Sequence, residues 1–483
     1  MATIEELRQT RLKKLELLKE AGMAGFPADT KRTHTLKEVC DMFGELEGKE
    51  ATVAGRIMSV RGQGGLLFAN ITDGTGLFQV VFKKDEMDEK LFNLFVDASD
   101  IGDFVEVSGV LGKTQRGAES LFVRGWNMLT KSLRPLPDQH SGFKDVEERF
   151  RKRYLDILVN EDVRTIVEKR GLFWKAMRSF LEERGFIEVE TPTLEVTTGG
   201  AEATPFKTHH NDFDLDLFLR ISVGELWQKR LMASGISRTF EIGRVYRNEG
   251  SSPEHVQEFT NMEFYAAYLN FEDGKKMLQD LYRTVAQEVF GTTTFTTRGH
   301  TFNLADEWEE LDYVSTVEKI TGINVLESSE KDMEAKLAEL GVVFEGNNRE
   351  RMADSLWKYC RKQISGPAFL INHPKLVAPL SKEHPDNPKL TKTLQVILAG
   401  SEVGRAHAEL NDPLDQRARF EAQQSLLEAG DTEAMMPDYE FVEAMEYGIP
   451  PTFGFGVGER LLSFFLDKPI REIQTFPLVK PKE

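Results

Sequence analysis

Two stretches of the chain carry residue types that could hold a phosphate. In FEIGRVYRNEGSSPEHVQEFTNMEFYAAY (240–268), two alternating segments flank a polar loop with Arg247, Glu249 and His255. The alternation predicts two strands, with Arg247 near the end of the first, where a planar guanidinium can grip a phosphate bidentately and a lysine cannot. The second strand presents Glu258, Thr260, Met262 and Phe264 on one face, and Phe259, Asn261, Glu263 and Tyr265 on the other. In GFGVGERLLSFF (454–465), Gly454, Gly456 and Gly458 lead through Glu459 and Arg460 into a helix. The glycines permit close backbone approach and a helix N-terminus favours an anion. Arg460 adds a second guanidinium to a phosphate or purine site. No strand–helix–strand pattern of a dinucleotide fold surrounds this turn. Upstream, FLEERGFIEVETPTL (180–194) reads as a helix running into a strand stopped by Pro192, a packing or dimer element.

These stretches need a scaffold, and the sequence predicts an α+β one. From Val146 to the C-terminus, amphipathic helices mix with antiparallel-looking strands. The segment KSLRPLPDQHSGFKD (131–145) has little periodicity and contains Pro135, Pro137 and Gly142, which marks a linker. Before it, residues 50–130 form five short strands, with a helical stretch over Glu86–Val96 between the third and fourth. That is the order of an OB-fold barrel, a common oligonucleotide platform. Phe68 and Gln79 fall on its adjacent central strands, with Arg56 and Arg61 at the start. Residues 1–49 form a helical extension, in which 4–22 reads as an amphipathic helix docked on its own domain; Arg8, Arg11, Lys13 and Lys14 leave an RNA-binding arm open. The domains expected are therefore 1–49, 50–130, a linker at 131–145, and 146–483.

At 483 residues the chain is long enough for two or three domains. Its net charge of −18 comes from 61 Lys+Arg against 79 Asp+Glu, which excludes a generic polyanion binder. The deficit lies outside the predicted barrel, since residues 51–135 hold ten basic and ten acidic side chains. Nucleic acid would then be met by a local patch, with weak long-range steering. Cys40 and Cys360 alone give neither a disulfide framework nor a zinc ligand set, and they fit a reducing cytoplasm. No membrane span and no secretory signal are expected.

Taken together, the motif around 180–194, the strand–loop–strand arginine and the glycine turn with its helix arginine resemble those of class II aminoacyl-tRNA synthetases. The phrases RNEG, ELNDPLDQ, EYGIPPT and IREIQTFPLVKP resemble the lysyl-tRNA synthetases among them over nearly the full chain, more than the aspartyl or asparaginyl relatives. The resemblance implies an OB-fold anticodon domain and a catalytic domain built on an antiparallel sheet flanked by helices. It implies a cytoplasmic homodimer, with motif one around Gly185–Pro192 at the interface, that takes ATP, L-lysine and tRNA(Lys) with Mg2+. The alternatives are aspartate or asparagine specificity, or a synthetase-like paralogue that modifies a protein or regulates.

Residue by residue, the resemblance gives Arg247 the α-phosphate, with Arg460 as the second catalytic guanidinium. Glu249 and His255 line the ATP site, Phe259 stacks on adenine opposite Arg460, and Asn248, Val256 and Gly458 complete the nucleotide contacts. Glu402 matches a magnesium-binding glutamate, whose partner seven residues earlier is Gln395 here. Glu225, Glu263, Glu409 and Tyr265 match lysine-binding residues, and Gly200 a backbone contact. Three converging carboxylates repel unless cations fill the pocket, which suits a diamino acid. The family's N-G-F-S-E string is Arg405-Ala-His407-Ala-Glu409 here, and Arg405 is expected to face the substrate carboxylate or a phosphate. Motif three is one residue shorter than the family's, so Glu459 is expected off the usual acidic position. In the barrel, Arg56, Phe68 and Gln79 are expected at the anticodon, while a third family contact falls on Gly125 and is not carried over.

Overall fold

The computed structural model describes residues 3–137, 145–201, 203–344, 348–429 and 434–482. The chain divides into two compact units, Met1–Lys144 and Asp145–Glu483. Most of the later part of the expected linker, 138–144, lies outside the described residues.

In the first unit, helix α1 (Ile4–Glu20) is followed by strands β1 (Glu50–Gln63), β2 (Leu66–Thr72) and β3 (Leu77–Lys83). Helix α2 (Glu89–Ala98) precedes β4 (Phe104–Lys113) and β5 (Glu119–Thr130). The strands close into a barrel in the order β1-β2-β3-β5-β4, which is OB-fold topology. The helix predicted from Glu86 starts later because Asp88 caps it, accepting from the backbone N–H of Lys90 and Leu91. Leu18, Leu36, Val39 and Phe43 of the helical extension share the barrel's core with Phe82, Phe95 and Trp126. The basic face of α1 is partly used internally. Arg11 donates to the carbonyls of Ile101 and Ser132, and Lys14 lies 2.7 Å from Asp100.

The second unit is built on one large sheet. Its elements are helix α3 (Glu161–Glu182), β6 (Ile187–Glu188), α4 (Glu225–Ala233), β7 (Arg238–Tyr246), β8 (Glu258–Ala267) and α5 (Phe271–Phe290). There follow β9 (Glu309–Asp312), α6 (Arg349–Cys360), β10 (Ala368–Pro374), β11 (Asn387–Leu398), β12 (Ser401–Ala408), β13 (Thr452–Gly458) and α7 (Arg460–Phe465). The sheet runs β9-β10-β11-β12-β13-β8-β7-β6, antiparallel except at its two edges. One face packs on α3 and α5, where Phe173, Met177, Phe180, Leu278 and Tyr282 meet Met262, Phe264, Phe455 and Val457. Burying that face leaves the alternate residues of every strand on the other, and it is there that the polar side chains collect.

Candidate active site

Strand register assembles the site. Directly opposed residues of antiparallel strands point to one face, so a row runs Glu241–Glu263–Gly456–Arg405–Gln395 across β7, β8, β13, β12 and β11. Beside it runs Thr239–Tyr265–Gly454–His407–Thr393. Each row is bare at its middle strand. A Cβ on Gly454 would fall 2.0 Å from Glu409 Oε1, and one on Gly456 would meet Glu263 Cγ at 3.2 Å. The glycines thus form a trough between an acidic wall and Arg405.

The acidic wall brings together Glu225, Glu263 and Glu409, all buried. Glu263 accepts from Val223 N at 2.9 Å, Asn261 Nδ2 at 3.0 Å and the Tyr265 hydroxyl at 3.0 Å. Gly200, at φ +85°, closes on the same corner: a Cβ there would fall 2.8 Å from Glu225 Oε2. Between the carboxylates stands a group that the sequence did not single out. Lys229, one turn beyond Glu225 on α4, sets its ammonium 2.7 Å from Glu225 and 2.5 Å from Glu409 Oε2. The second contact is poorly aligned, so neither Glu409 oxygen accepts a well-directed hydrogen bond. Burial, reinforced by the neighbouring carboxylates, raises Glu263 to about 7 and Glu409 to about 8, with Lys229 opposing the rise at Glu409. The i,i+4 spacing of Glu225 and Lys229 was the one signal available for it.

The nucleotide-type residues lie along the same face. Arg247 stands 5.3 Å from the ring of Phe259, and its Nη2 reaches the Ile221 carbonyl at 3.4 Å. Its Nε is buried without a partner, and burial pulls its pKa down. A Cβ on Gly458 would touch the Phe259 ring at 3.6 Å, so that ring has one bare neighbour. Arg460 donates to the backbone carbonyls of Glu402 and Glu254. His255 accepts or donates to Ser252 Oγ at 2.7 Å, and burial beside Arg460 lowers it to about 4, leaving it neutral. The Glu249 backbone turns back to Arg247, and Asn248, exposed, ties its backbone to Thr204. Val256 packs against the main core. Glu254, also unforeseen, pairs with Arg298 and receives the Ser401 hydroxyl.

Glu459 has partners of its own, and two expectations change. Glu459 is wholly buried on the far side of the turn, where it accepts from Arg170 and Gln474 while its N–H donates to Thr260. The short turn sends it into the core as an anchor. Gln395 and Glu402, expected to hold Mg2+, bond to each other: Gln395 Nε2 donates to Glu402 Oε2 at 3.1 Å, and Trp357 Nε1 to Oε1 at 2.7 Å. Gln395 Oε1 faces His373 Nε2 at 3.0 Å, and the Arg361 guanidinium lies 3.8 Å from Glu402. Amide, indole and guanidinium donors surround the one carboxylate, and no cluster of three or more metal-ligating side chains occurs among the described residues. This donor set does not fit a protein-held Mg2+. On the barrel, Arg61 rather than Arg56 meets Phe68 and Gln79. Arg61 donates to Gln79 Oε1 at 2.9 Å and stands 5.7 Å from the Phe68 ring, whereas Arg56 stacks on Phe104 at 4.3 Å.

The sequence matches the family description "tRNA synthetases class II (D, K and N)" over residues 145–480, and "OB-fold nucleic acid binding domain" over 51–129. It is 43% identical to the lysine–tRNA ligase of Roseiflexus sp. (strain RS-1), across 99% of this chain and 100% of the relative. The lysine–tRNA ligase of Moorella thermoacetica is 40% identical, across 99% of this chain and 98% of the relative. That of Thermotoga maritima is 38% identical, across 99% and 97%. With a phosphate-ready arginine pair, an acidic pocket and a barrel in one chain, and whole-length relatives at this identity, the chain belongs to the lysine–tRNA ligase family of class II tRNA synthetases.

Proposed function

We propose that this chain joins L-lysine to tRNA(Lys) in two steps through lysyl-adenylate, using ATP. One observation carries the reading. Three buried carboxylates share a pocket with one internal ammonium, so with all three ionised the pocket carries two negative charges in excess, the number of ammonium groups on lysine. Glu409, a buried carboxylate without a well-directed donor, and Glu263, next to the trough, take those two groups. Tyr265 holds Glu263, Lys229 held by Glu225 stands against Glu409, and Gly200 leaves room beside them. Aspartate or asparagine would leave the pocket's charge unmet.

Lysine bound this way lays its carboxylate on the glycine trough, toward Arg405 and Arg247. ATP lies along the Phe259 side, its adenine against that ring and its phosphates between Arg247 and Arg460. The carboxylate attacks the α-phosphorus in line, and charge gathers on the phosphate oxygens, where fixed guanidiniums stabilise it most. His255 is neutral and Glu249 is near, so both serve to shape the nucleotide site. ATP enters as its magnesium salt, with no pair of carboxylates waiting for the ion. We assign Phe68 and Gln79, with Arg61 in place of Arg56, to the anticodon. Exposed Ile187, Leu194 and Val196 around motif one suit a homodimer interface. No helix of the described residues is long and apolar enough to cross a membrane, and a cytoplasmic location is the reading that fits the chemistry.

The test is pyrophosphate exchange across the amino acids with the purified chain. Exchange with lysine alone supports the reading. Exchange with aspartate or asparagine and none with lysine overturns it.

A further inference from the structure

Arg405 stands apart from the other charged groups of the sheet. Its Nη2 donates to the Val377 carbonyl at 2.7 Å, which fixes its orientation, while its Nε is buried without a partner. Among the described residues it makes no ion pair. Its neighbours across the strands are Gly456, which has no side chain, and Gln395, which has no charge. The side chain is half-buried, with its Nε shut away from water, and an anion at its free donors would stabilise it; no carboxylate pairs with it among the described residues.

Its position says which anion. Arg405 and Glu263 lie in one row on either side of Gly456, two strand spacings apart, which is about 10 Å of backbone. A zwitterion lying across bare Gly456 can set its ammonium on Glu263 and its carboxylate on Arg405. The corner behind Arg405 holds two histidines, His373 at 3.0 Å from Gln395 Oε1 and His407 at 3.2 Å from Thr393 Oγ1, with the Asp312 carboxylate near His373.

We propose that Arg405 is the fixed cation of the adenylation step, bonding the substrate carboxylate and the α-phosphate it attacks, and that with Gln395 it takes the place of a protein-held divalent ion. This rests on the reading of the site as one that activates an amino acid. Relative to a glutamate at 395 and a neutral residue at 405, the amide removes one negative charge and the guanidinium adds one positive. The sum is the charge of one divalent cation. His373 holds the Gln395 amide so that its N–H points at Glu402, which closes the second ligand position. In the step itself a lysine carboxylate oxygen forms a bond to the α-phosphorus. The bond from that phosphorus to the bridging oxygen breaks, and its electron pair leaves with pyrophosphate. No proton is transferred, so a guanidinium, which offers charge and two parallel donors but no base, suffices.

The experiment measures ATP binding to the full-length chain by calorimetry, in excess Mg2+ and in EDTA, and Mn2+ binding without nucleotide by electron paramagnetic resonance. The wild type is expected to hold ATP in EDTA within about threefold of its affinity in Mg2+, and to bind no Mn2+ tightly. Arg405→Asn should weaken ATP in EDTA about 30-fold, the worth of one or two charge-assisted hydrogen bonds, and Arg405→Lys should recover part of it. The double variant Gln395→Glu with Arg405→Asn should bind one Mn2+ per chain and regain ATP affinity only with metal. Gln395→Glu alone, the milder change, should already weaken ATP in EDTA, so the test survives a poorly folding Arg405 variant. Wild-type ATP binding that collapses in EDTA, or an Arg405→Asn protein that binds ATP like the wild type, overturns the proposal. Failure of lysine-dependent exchange overturns the functional reading instead, because the ATP measurement does not depend on which amino acid is used.

Discussion

Arg61 on the barrel and Arg247 in the sheet unit are built alike and differ in surroundings. Each guanidinium stands beside a phenylalanine, at 5.7 Å from Phe68 and 5.3 Å from Phe259, and neither is in an ion pair among the described residues. Arg61 is exposed, so water and counterions compensate its charge, and leaving it unpaired costs little. Arg247 is half-buried on the sheet, with an Nε shut away from water that nothing satisfies and a pKa pulled down by burial. An unpaired charge at the surface is ordinary, whereas an unpaired charge inside is evidence of an absent ligand. The same contrast separates Phe68 and Gln79 on the barrel's strands from Glu263 and Glu409, which are buried carboxylates.

The contrast is tested hardest at Arg247. Removing a preorganised donor from a site of developing charge costs about 3–4 kcal/mol, or roughly a thousandfold in rate. Arg247→Ala should therefore reduce lysine-dependent pyrophosphate exchange about a thousandfold. Filter binding of tRNA should stay within about twofold, because the barrel patch is in the other unit. A loss below tenfold in exchange would mean that Arg247 is as dispensable as a surface arginine.

Lys229 comes next. Its replacement strands two buried carboxylates, and breaking a buried ion pair costs about 3–5 kcal/mol. Chemical denaturation at pH 8 should show Lys229→Met destabilised by about that amount. At pH 6 the loss should be smaller, because Glu409, already raised to about 8, takes up a proton instead. An equal loss at both pH values would show that packing, and not charge, is what Lys229 supplies.

The pH dependence follows from the same acids. Glu263 and Glu409 are raised from 4.5 to about 7 and about 8, so the folded chain keeps protons that the unfolded chain has shed. The penalty is absent below 4.5 and complete above 8, so unliganded stability falls as pH rises through that window. Lysine needs both acids ionised, so its affinity should rise over the upper part of the window, with protons released on binding. Calorimetry in two buffers of different ionisation enthalpy reads that release directly; an affinity flat from pH 6 to 8.5 would remove these groups from the lysine site.

How much of this could be read from the sequence differs in the same way between the regions. Period-two alternation put Met262 and Phe264 on one face of the strand and Phe259, Asn261, Glu263 and Tyr265 on the other, and the structure makes the first of these the core face. The five strands of the barrel and the helix before the fourth were legible for the same reason. The row from Glu263 to Gln395 was not, because register between strands distant in sequence is fixed by tertiary packing and by no local pattern. Lys229 stayed hidden because Glu-x-x-x-Lys on a helix usually lies in water, and only the sheet beneath α4 buries it. Glu459, which the sequence left without a site role, takes Arg170 as its partner, a contact too distant along the chain for a local pattern to show. Arg56 and Arg61 both lie on β1, and no local pattern says which of them meets Phe68: past a one-residue bulge between Ile57 and Ser59 the register sets Arg61 opposite Phe68, while Arg56 faces Thr72.

That bulge makes the smallest prediction the most discriminating for the barrel. Stacking of a base on an aromatic ring is worth about 1–3 kcal/mol, so Phe68→Ala should raise the KM for tRNA about tenfold while leaving tRNA-independent exchange unchanged. Arg61→Ala removes an exposed charge and a prop for Gln79, and should cost about threefold at low salt and almost nothing at high salt. Arg56→Ala removes a guanidinium that is partly buried against Phe104, out of reach of Phe68, so its effect should fall on barrel stability and not on tRNA affinity. If Arg56 and Arg61 exchanged these effects, the assignment of Arg61 to the Phe68 patch would be wrong. If neither altered tRNA affinity, the patch would be read through Phe68 and Gln79 alone, and a surface guanidinium beside an aromatic ring would carry no functional meaning in this chain.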